Sequence, residues 1–264
     1  MKGLQTSPRL KYLRPAFDLV VTLLLWSYYT VGFIVFFAPL YLSAYGFAKN
    51  RERAFQGLNH VFYKGFFFLL RVLIPGAKWG ISEEILAIKS AVIVCNHISY
   101  LDSILMISLF KRHKTIVKSR FFHIPIFRQV IELSGYIPST ADGGLSDLII
   151  RRIETMDEFF ESGGVFFAFP EGTRSRDGTL GPLNTGVLKI ARMFGKPIQV
   201  LYLRNTNHLF QPGKFLFNTG FKGTIAVQRL GSVEPDDRGG RLLVSDSIGR
   251  VRSMYEAEQK KSAG

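Results

Sequence analysis

The chain has 264 residues, of which 47% are hydrophobic and 24 are phenylalanine, with a formal charge of +14 and a mean hydropathy of +0.15. That length fits one α/β domain plus an appendage and is ample to bury a core. One cysteine, Cys95, excludes an internal disulfide and any multi-cysteine zinc site, and no nucleic-acid-binding motif accompanies the positive charge.

Residues 19–47 carry no charged side chain. As a single helix these 29 residues run about 44 Å, longer than the hydrocarbon core of about 30 Å and about twice the length of a signal-peptide core. Pro39 offers a kink, and Trp26, Tyr28, Tyr29, Tyr41 and Tyr45 are residue types that favour a membrane interface. Lys2, Arg9, Lys11 and Arg14 precede the segment, and Lys49, Arg51 and Arg53 follow it. Positive charge on both flanks suits a helix lying in, or re-entering, the cytoplasmic leaflet better than a one-way span. Over 52–73, Phe55, Leu58, Phe62, Phe66 and Leu69 recur at helical spacing. The expectation is a membrane-embedded unit, 1–75, gripping one leaflet, with a transmembrane span and a pair of buried soluble helices as the alternatives, an anionic phospholipid surface as partner and no nucleic acid.

Pro75-Gly76 punctuates the second helix, and 76–264 reads as an α/β domain with a mixed, mainly parallel sheet flanked by helices. The expected strands are 90–95, 114–118, 164–169, 197–203 and 223–229. The expected helices are 99–110, 124–134, 145–162, 183–195 and 241–259, followed by a disordered tail, 259–264.

Two boxes lie 73 positions apart, each just after a buried-strand pattern, where open α/β sheets build ligand crevices. The first, Asn96-His97-Ile98-Ser99-Tyr100-Leu101-Asp102, pairs a base with a carboxylate that can orient it. Ser99 and Ser103 read as helix-start residues, Asn96 as a loop organiser and Cys95 as strand packing. The second, Phe169-Pro170-Glu171-Gly172-Thr173-Arg174-Ser175, offers a glycine for close backbone approach, a hydroxyl and a guanidinium fork suited to phosphate oxygens. A following turn at Ser175–Gly178 is expected. His60, His113 and His123 stand apart from the boxes and read as structural; Phe121, Phe122, Phe127, Phe166 and Phe167 could line an acyl tunnel or pack the core, the commoner use, and none is assigned a role. Together the boxes suggest proton abstraction from a hydroxyl beside a charged head group.

With Lys118, Ile124-Pro125 and Gly135-Tyr136-Ile137-Pro138 between them, these boxes resemble the glycerolipid acyltransferase family, best known for its 1-acylglycerol-3-phosphate acyltransferases; the resemblance spans roughly 77–235. It implies that His97, oriented by Asp102, is the general base. It assigns Glu171, Gly172, Thr173, Arg174 and Lys118 to a lysophospholipid acceptor. No metal or cofactor is implied, only an acyl-CoA or acyl-carrier-protein co-substrate. Three positions depart from the family pattern: Ala141 stands where an arginine is usual, Asn184 where a basic residue is frequent, and Arg120 where an acid is common. At about 1.5–3 kcal/mol per charge-assisted bond, two lost cations alter the acceptor pocket, so another lysolipid acceptor stays open. So does a catalytically inactive lipid-binding protein. A hydrolase lacks the serine elbow it would use.

Overall fold

A computed structural model describes residues 8–175, 180–234, 236–237, 240–241 and 243–263. The N-terminal apolar segment forms helix α1 (Pro8–Ser27), which passes through a π-helical run (Tyr28–Phe37) into α2 (Ala38–Phe47). The irregularity expected at Pro39 takes the form of that π run. Its last bond joins the Ala38 N–H to the Phe33 carbonyl, and Pro39 falls in the first turn of α2, where a missing N–H is tolerated. Leu13–Phe47 is long and apolar enough to cross a membrane, and only 17% of its most apolar window is buried. Lys2, at the expected basic flank, lies outside the described residues.

Helix α3 (Arg51–Leu73) starts at Asn50, whose Oδ1 accepts the Arg53 N–H at 2.8 Å. It returns along α1 and α2, burying Phe55, Phe62, Phe66 and Leu70 while Leu58 and Leu69 are half-buried. Three of the tyrosines expected at an interface turn inward. Tyr28 stacks on Phe62 and donates to its carbonyl at 2.8 Å, Tyr29 packs against Phe62 and Phe66, and Tyr41 is buried. Trp26 and Tyr45 stay exposed. Aromatic area was worth more to the helix pair than to its rim.

The sheet has seven strands in the order β1-β7-β6-β2-β5-β3-β4: β1 (Ala77–Ile81), β2 (Ala91–Cys95), β3 (His113–Val117), β4 (Ile137–Pro138), β5 (Val165–Ala168), β6 (Ile198–Arg204) and β7 (Gly223–Val233). Strands β2 to β6 are mutually parallel; β7 pairs antiparallel with β6, and β1 parallel with β7. The five expected strands are the central ones, and of these β2 and β5 are continuously apolar because both faces are covered. The two edge strands escaped the sequence reading: β4 has two residues, and β1 has one fully buried position. A two-stranded ribbon, β8 (Asp236–Asp237) and β9 (Gly240–Arg241), was likewise not foreseen.

Helices α4 (Glu83–Leu86), α5 (Leu101–Leu109), α6 (Phe127–Leu133), α7 (Ser146–Glu154), α8 (Met156–Glu161), α9 (Gly186–Met193), α10 (Thr206–Leu209) and α11 (Val244–Ala263) complete the chain. The single helix expected over 145–162 breaks at Thr155, whose φ of −94° and ψ of 8° are not helical. Residues 183–185 stay outside α9. Residues 259–263 of the tail expected to be disordered form the last turn of α11, and Gly264 lies outside the described residues. Alternate residues of the central strands feed two cores. Ile93, Cys95 and Phe167 join Val21, Leu25, Phe66 and Leu70 on one face, and Val92, Val94 and Phe166 meet Phe159, Leu188 and Tyr255 on the other.

Polar groups also hold the helix pair to the sheet. Lys114 of β3, fully buried, pairs with Glu52 at 3.1 Å, and Arg152 approaches the same carboxylate at 3.6 Å. Burial pushes the Lys114 ammonium pKa down, and Glu52 pulls it back up. Gln56 donates to the Ser134 carbonyl, and Asn59 donates to Ser134 Oγ and the Tyr136 hydroxyl. Gly135 makes this approach possible: its φ is +79°, and a Cβ there would lie 2.4 Å from Glu52 Oε2.

Candidate active site

The β2 strand ends at Cys95, and the next seven residues turn into α5. Asn96 fixes the exit by bonding both backbone groups of Leu203 on β6, at 3.0 and 2.7 Å. The turn then wraps around one carboxylate. Asp102 is fully buried; its Oδ2 accepts the backbone N–H groups of Ile98 and Ser99, each at 2.7 Å, and lies 2.9 Å from His97 Nδ1. Its Oδ1 accepts the Thr206 hydroxyl at 2.6 Å. Four donors satisfy the buried charge, as an interior carboxylate requires. With Asp102 Oδ2 as acceptor, the neutral imidazole carries its proton on Nδ1 and leaves the Nε2 lone pair free.

The second box packs against the first. Ser175 N–H donates to the His97 carbonyl at 2.8 Å, and the Phe169 ring stacks on the imidazole with centroids 4.2 Å apart. Gly172 has φ +65°, a left-handed turn that glycine adopts without steric cost. Glu171 lies behind the histidine: Oε1 accepts the His97 backbone N–H at 3.1 Å and Oε2 that of Gly181 at 3.3 Å. Burial pushes its carboxyl above the usual range, while these two N–H donors pull it back. Glu171 and Arg174 form no ion pair. Arg174 instead lies over the Tyr100 ring, 3.3 Å from its centroid, with Nη1 buried and lacking a hydrogen-bond partner. An unpaired, desolvated guanidinium nitrogen is a donor suited to an anion.

His97, Gly172, Thr173, Arg174 and Lys118 all line one cleft of about 450 Å³; Glu171 supports it without lining it. Arg120 and Asn184 also face this cleft, and Ala141 does not. Among the described residues its lining holds three cations and no carboxylate. Its inner wall is apolar, and through Tyr29, Tyr100 and Ile104 it adjoins a groove of about 540 Å³ bounded by Leu25, Phe66, Phe215 and Phe217. Phe121 and Phe127 line the cleft, whereas Phe122, Phe166 and Phe167 are fully buried core. Arg176, Asp177 and Gly178 of the expected turn lie outside the described residues.

Cys95 is buried beside this chemistry, and burial holds its thiol well above the usual value, so it packs rather than attacks. His60 and His113 bond to the backbone carbonyls of Ile107 and Phe110, and neither imidazole lines the cleft. Thr206 carried no signal in the sequence. It follows β6, 104 positions from Asp102, and only the pairing of β6 with β2 brings it there. Nor did the pattern reveal Tyr100 as the platform for Arg174. Among the described residues no cluster of three or more His, Cys, Asp or Glu side chains forms a metal site.

Comparison with known proteins points to acyltransferases. The acyltransferase family model matches residues 78–204. A chloroplastic 1-acyl-sn-glycerol-3-phosphate acyltransferase of Brassica napus is 34% identical over 122 residues, 46% of this chain and 35% of that one. The Borreliella burgdorferi 1-acyl-sn-glycerol-3-phosphate acyltransferase is 29% identical over 175 residues, 62% of this chain and 68% of that one. The chain thus spans about a third of the length of the plant relative and two thirds of the bacterial one. The crystal structure of a Thermotoga maritima 1-acyl-sn-glycerophosphate acyltransferase superposes with a TM-score of 0.67 over 92% of this chain and 96% of its own; at 22% identity the likeness is one of fold. The His97 and Arg174 boxes both lie inside the segment, 78–204, that matches the acyltransferase family.

Proposed function

We propose that this protein moves a fatty acyl group from an acyl thioester, acyl-CoA or acyl-carrier protein, to the free hydroxyl of lysophosphatidate at a membrane surface. The observation that carries the reading is the His97 Nδ1 to Asp102 contact of 2.9 Å, with the unpaired Arg174 on the same cleft. His97 Nε2 takes the hydroxyl proton as the oxygen attacks the thioester carbonyl. The Asp102 carboxylate stabilises the imidazolium that forms. The C–O bond closes, the C–S bond breaks, and the imidazolium returns its proton to the departing thiolate. No acyl-enzyme intermediate and no cofactor enter these steps. Arg174 and Lys118 hold the acceptor phosphate, the Gly172–Thr173 turn lets it approach, and Glu171 fixes the loop that carries His97.

The exposed apolar side chains of Leu13–Phe47, with cations at both ends of the segment, support seating in one cytoplasmic-face leaflet. This places the apolar groove beside the acyl chains. A second acceptor is favoured by Arg120: with Ala141 away from the cleft and Asn184 uncharged, Arg120 supplies the third cation, and a lysolipid with a larger anionic head group fits that layout.

The test is purified protein in neutral detergent with labelled acyl-CoA and a panel of lysolipids, read by product mass spectrometry. Diacyl product from lysophosphatidate that disappears in His97→Ala is the expected result. Unchanged turnover in that variant overturns the mechanism; fatty acid release without acceptor would identify a hydrolase; no product from any lysolipid would leave a lipid-binding protein.

A further inference from the structure

A second cavity lies apart from the cleft beside His97. A cleft of about 760 Å³ opens at the opposite end of the sheet, lined by residues just before β2, β3 and β5, namely Lys89, Arg112 and Gly163, and by the C-terminal half of α3. His97 follows β2, so the five residues of that strand, about 16 Å of chain, separate the two sites.

This cleft is basic and half-greasy. Lys64, Arg71, Lys89, Lys111 and Arg112 line it, and its described lining contains no carboxylate. Lys64, Lys89 and Lys111 are exposed and make no ion pair among the described residues. Arg71 lies over the Trp79 ring at 4.7 Å, and the Trp79 indole Nε1 is buried without a hydrogen-bond partner. Arg112 donates from Nη1 to Gln56 and from Nη2 to Ser162, and its Nε is buried without a hydrogen-bond partner. The like charges register on their neighbour: His60, on the same wall, has a pKa lowered by burial and further by Lys64 and Lys111. Converging cations with no internal counter-charge destabilise a site until an anion binds.

The rest of the lining specifies what kind of anion. Phe67, Phe68, Trp79, Leu86 and Ile88 form an apolar side. Phe68 is 67% exposed, and Val72, one turn along α3, is 60% exposed. A free nucleotide or inorganic phosphate has no use for such a surface. An amphiphile places a phosphate among the lysines and a chain along Phe68 and Val72.

We propose that this cleft is a second lipid site, holding the phosphate of an anionic bilayer phospholipid apart from the site of acyl transfer. It anchors and orients the protein without taking part in the reaction.

The sequence has two tryptophans, so Trp26→Phe leaves Trp79 as a local reporter. In neutral detergent, phosphatidylglycerol with brominated chains is expected to quench Trp79 saturably, and the phosphatidylcholine analogue is not. Replacing Lys64, Lys89 and Lys111 together by Gln should weaken that quenching about tenfold or more. An equal charge loss at Lys189, Lys196 and Lys260, away from the cleft, should leave it unchanged. Acyl transfer in detergent should persist in both triple variants.

Equal quenching by the two lipids, or equal effects of the two triple variants, overturns the proposal. So does displacement of the lipid by millimolar inorganic phosphate, which would make this a free-anion site. Saturable quenching by wild-type protein that transfers no acyl group would uphold this site and sink the proposed function; transfer without quenching would do the reverse.

Discussion

Asp102→Asn isolates the one charge on which the proposed chemistry depends. Asparagine keeps the shape: its carbonyl oxygen can still accept from His97 Nδ1, Ile98 and Ser99, and its amide can face Thr206 Oγ1, which turns to accept. What disappears is the negative charge beneath the imidazolium. With the charge centres about 4 Å apart and an effective dielectric of about 20, that attraction is about 4 kcal/mol, or about 10³-fold in kcat. The KM for the acceptor should hardly move, because Arg174 and Lys118 are untouched. Stability should fall by no more than about 1–3 kcal/mol, since neutral hydrogen bonds replace charged ones while a buried ion is removed. Steady-state turnover in detergent micelles, with near-ultraviolet circular dichroism to verify packing, reads both effects. A folded Asp102→Asn protein with kcat within threefold of wild type would refute the argument that this carboxylate stabilises the imidazolium.

The remaining predictions concern the supports of that site and the seam beneath it. Thr206→Val removes the donor to Asp102 Oδ1 and leaves a buried acceptor lobe unpaired, so unfolding by urea should cost about 1–3 kcal/mol less, with kcat lower and the KM unchanged. Gly135→Ala forces a left-handed backbone and drives a methyl into Glu52, so a drop in Tm of several degrees and faster proteolysis between α2 and α3 are expected. His113 is buried as neutral imidazole, its pKa lowered to about 3 by burial. Unfolding raises that value to about 6.5, so the unfolded chain takes up the proton first. The stability held above pH 6.5 is therefore lost as pH falls toward 3, at up to about 1.4 kcal/mol per pH unit. Urea titrations at pH 4 and 7 should show a shallower loss in His113→Gln than in wild type.

Legibility in the sequence followed the burial of each element. Strands β2 and β5, covered on both faces, read as unbroken apolar runs, and the two boxes behind them followed, because the His97 to Asp102 contact is local, five residues apart. Strand β1 stayed hidden: four of its five side chains are only partly covered or exposed, and what makes it a strand is its pairing with β7, 146 residues downstream. Thr206 illustrates the same limit within the site. A threonine after a strand is commonplace, and its value comes from β6 lying next to β2. The inward turn of Tyr28, Tyr29 and Tyr41 was invisible for a related reason, since an aromatic in an apolar run serves a lipid rim or a helix seam equally well until its partner helix is placed.

Lys114 sits at 0% exposure with Glu52 of α3 as its counter-ion. Cutting the chain after residue 75 to obtain a soluble fragment would remove that carboxylate and uncover the face of Ile93, Leu105 and Phe167. A stranded interior ammonium alone typically costs about 3–5 kcal/mol, comparable to the whole stability of many domains. Residues 76–264 expressed alone should therefore precipitate or bind a hydrophobic dye. The apolar arm is masonry under the α/β domain, and solubility will have to be sought by repainting its outer surface rather than by amputation.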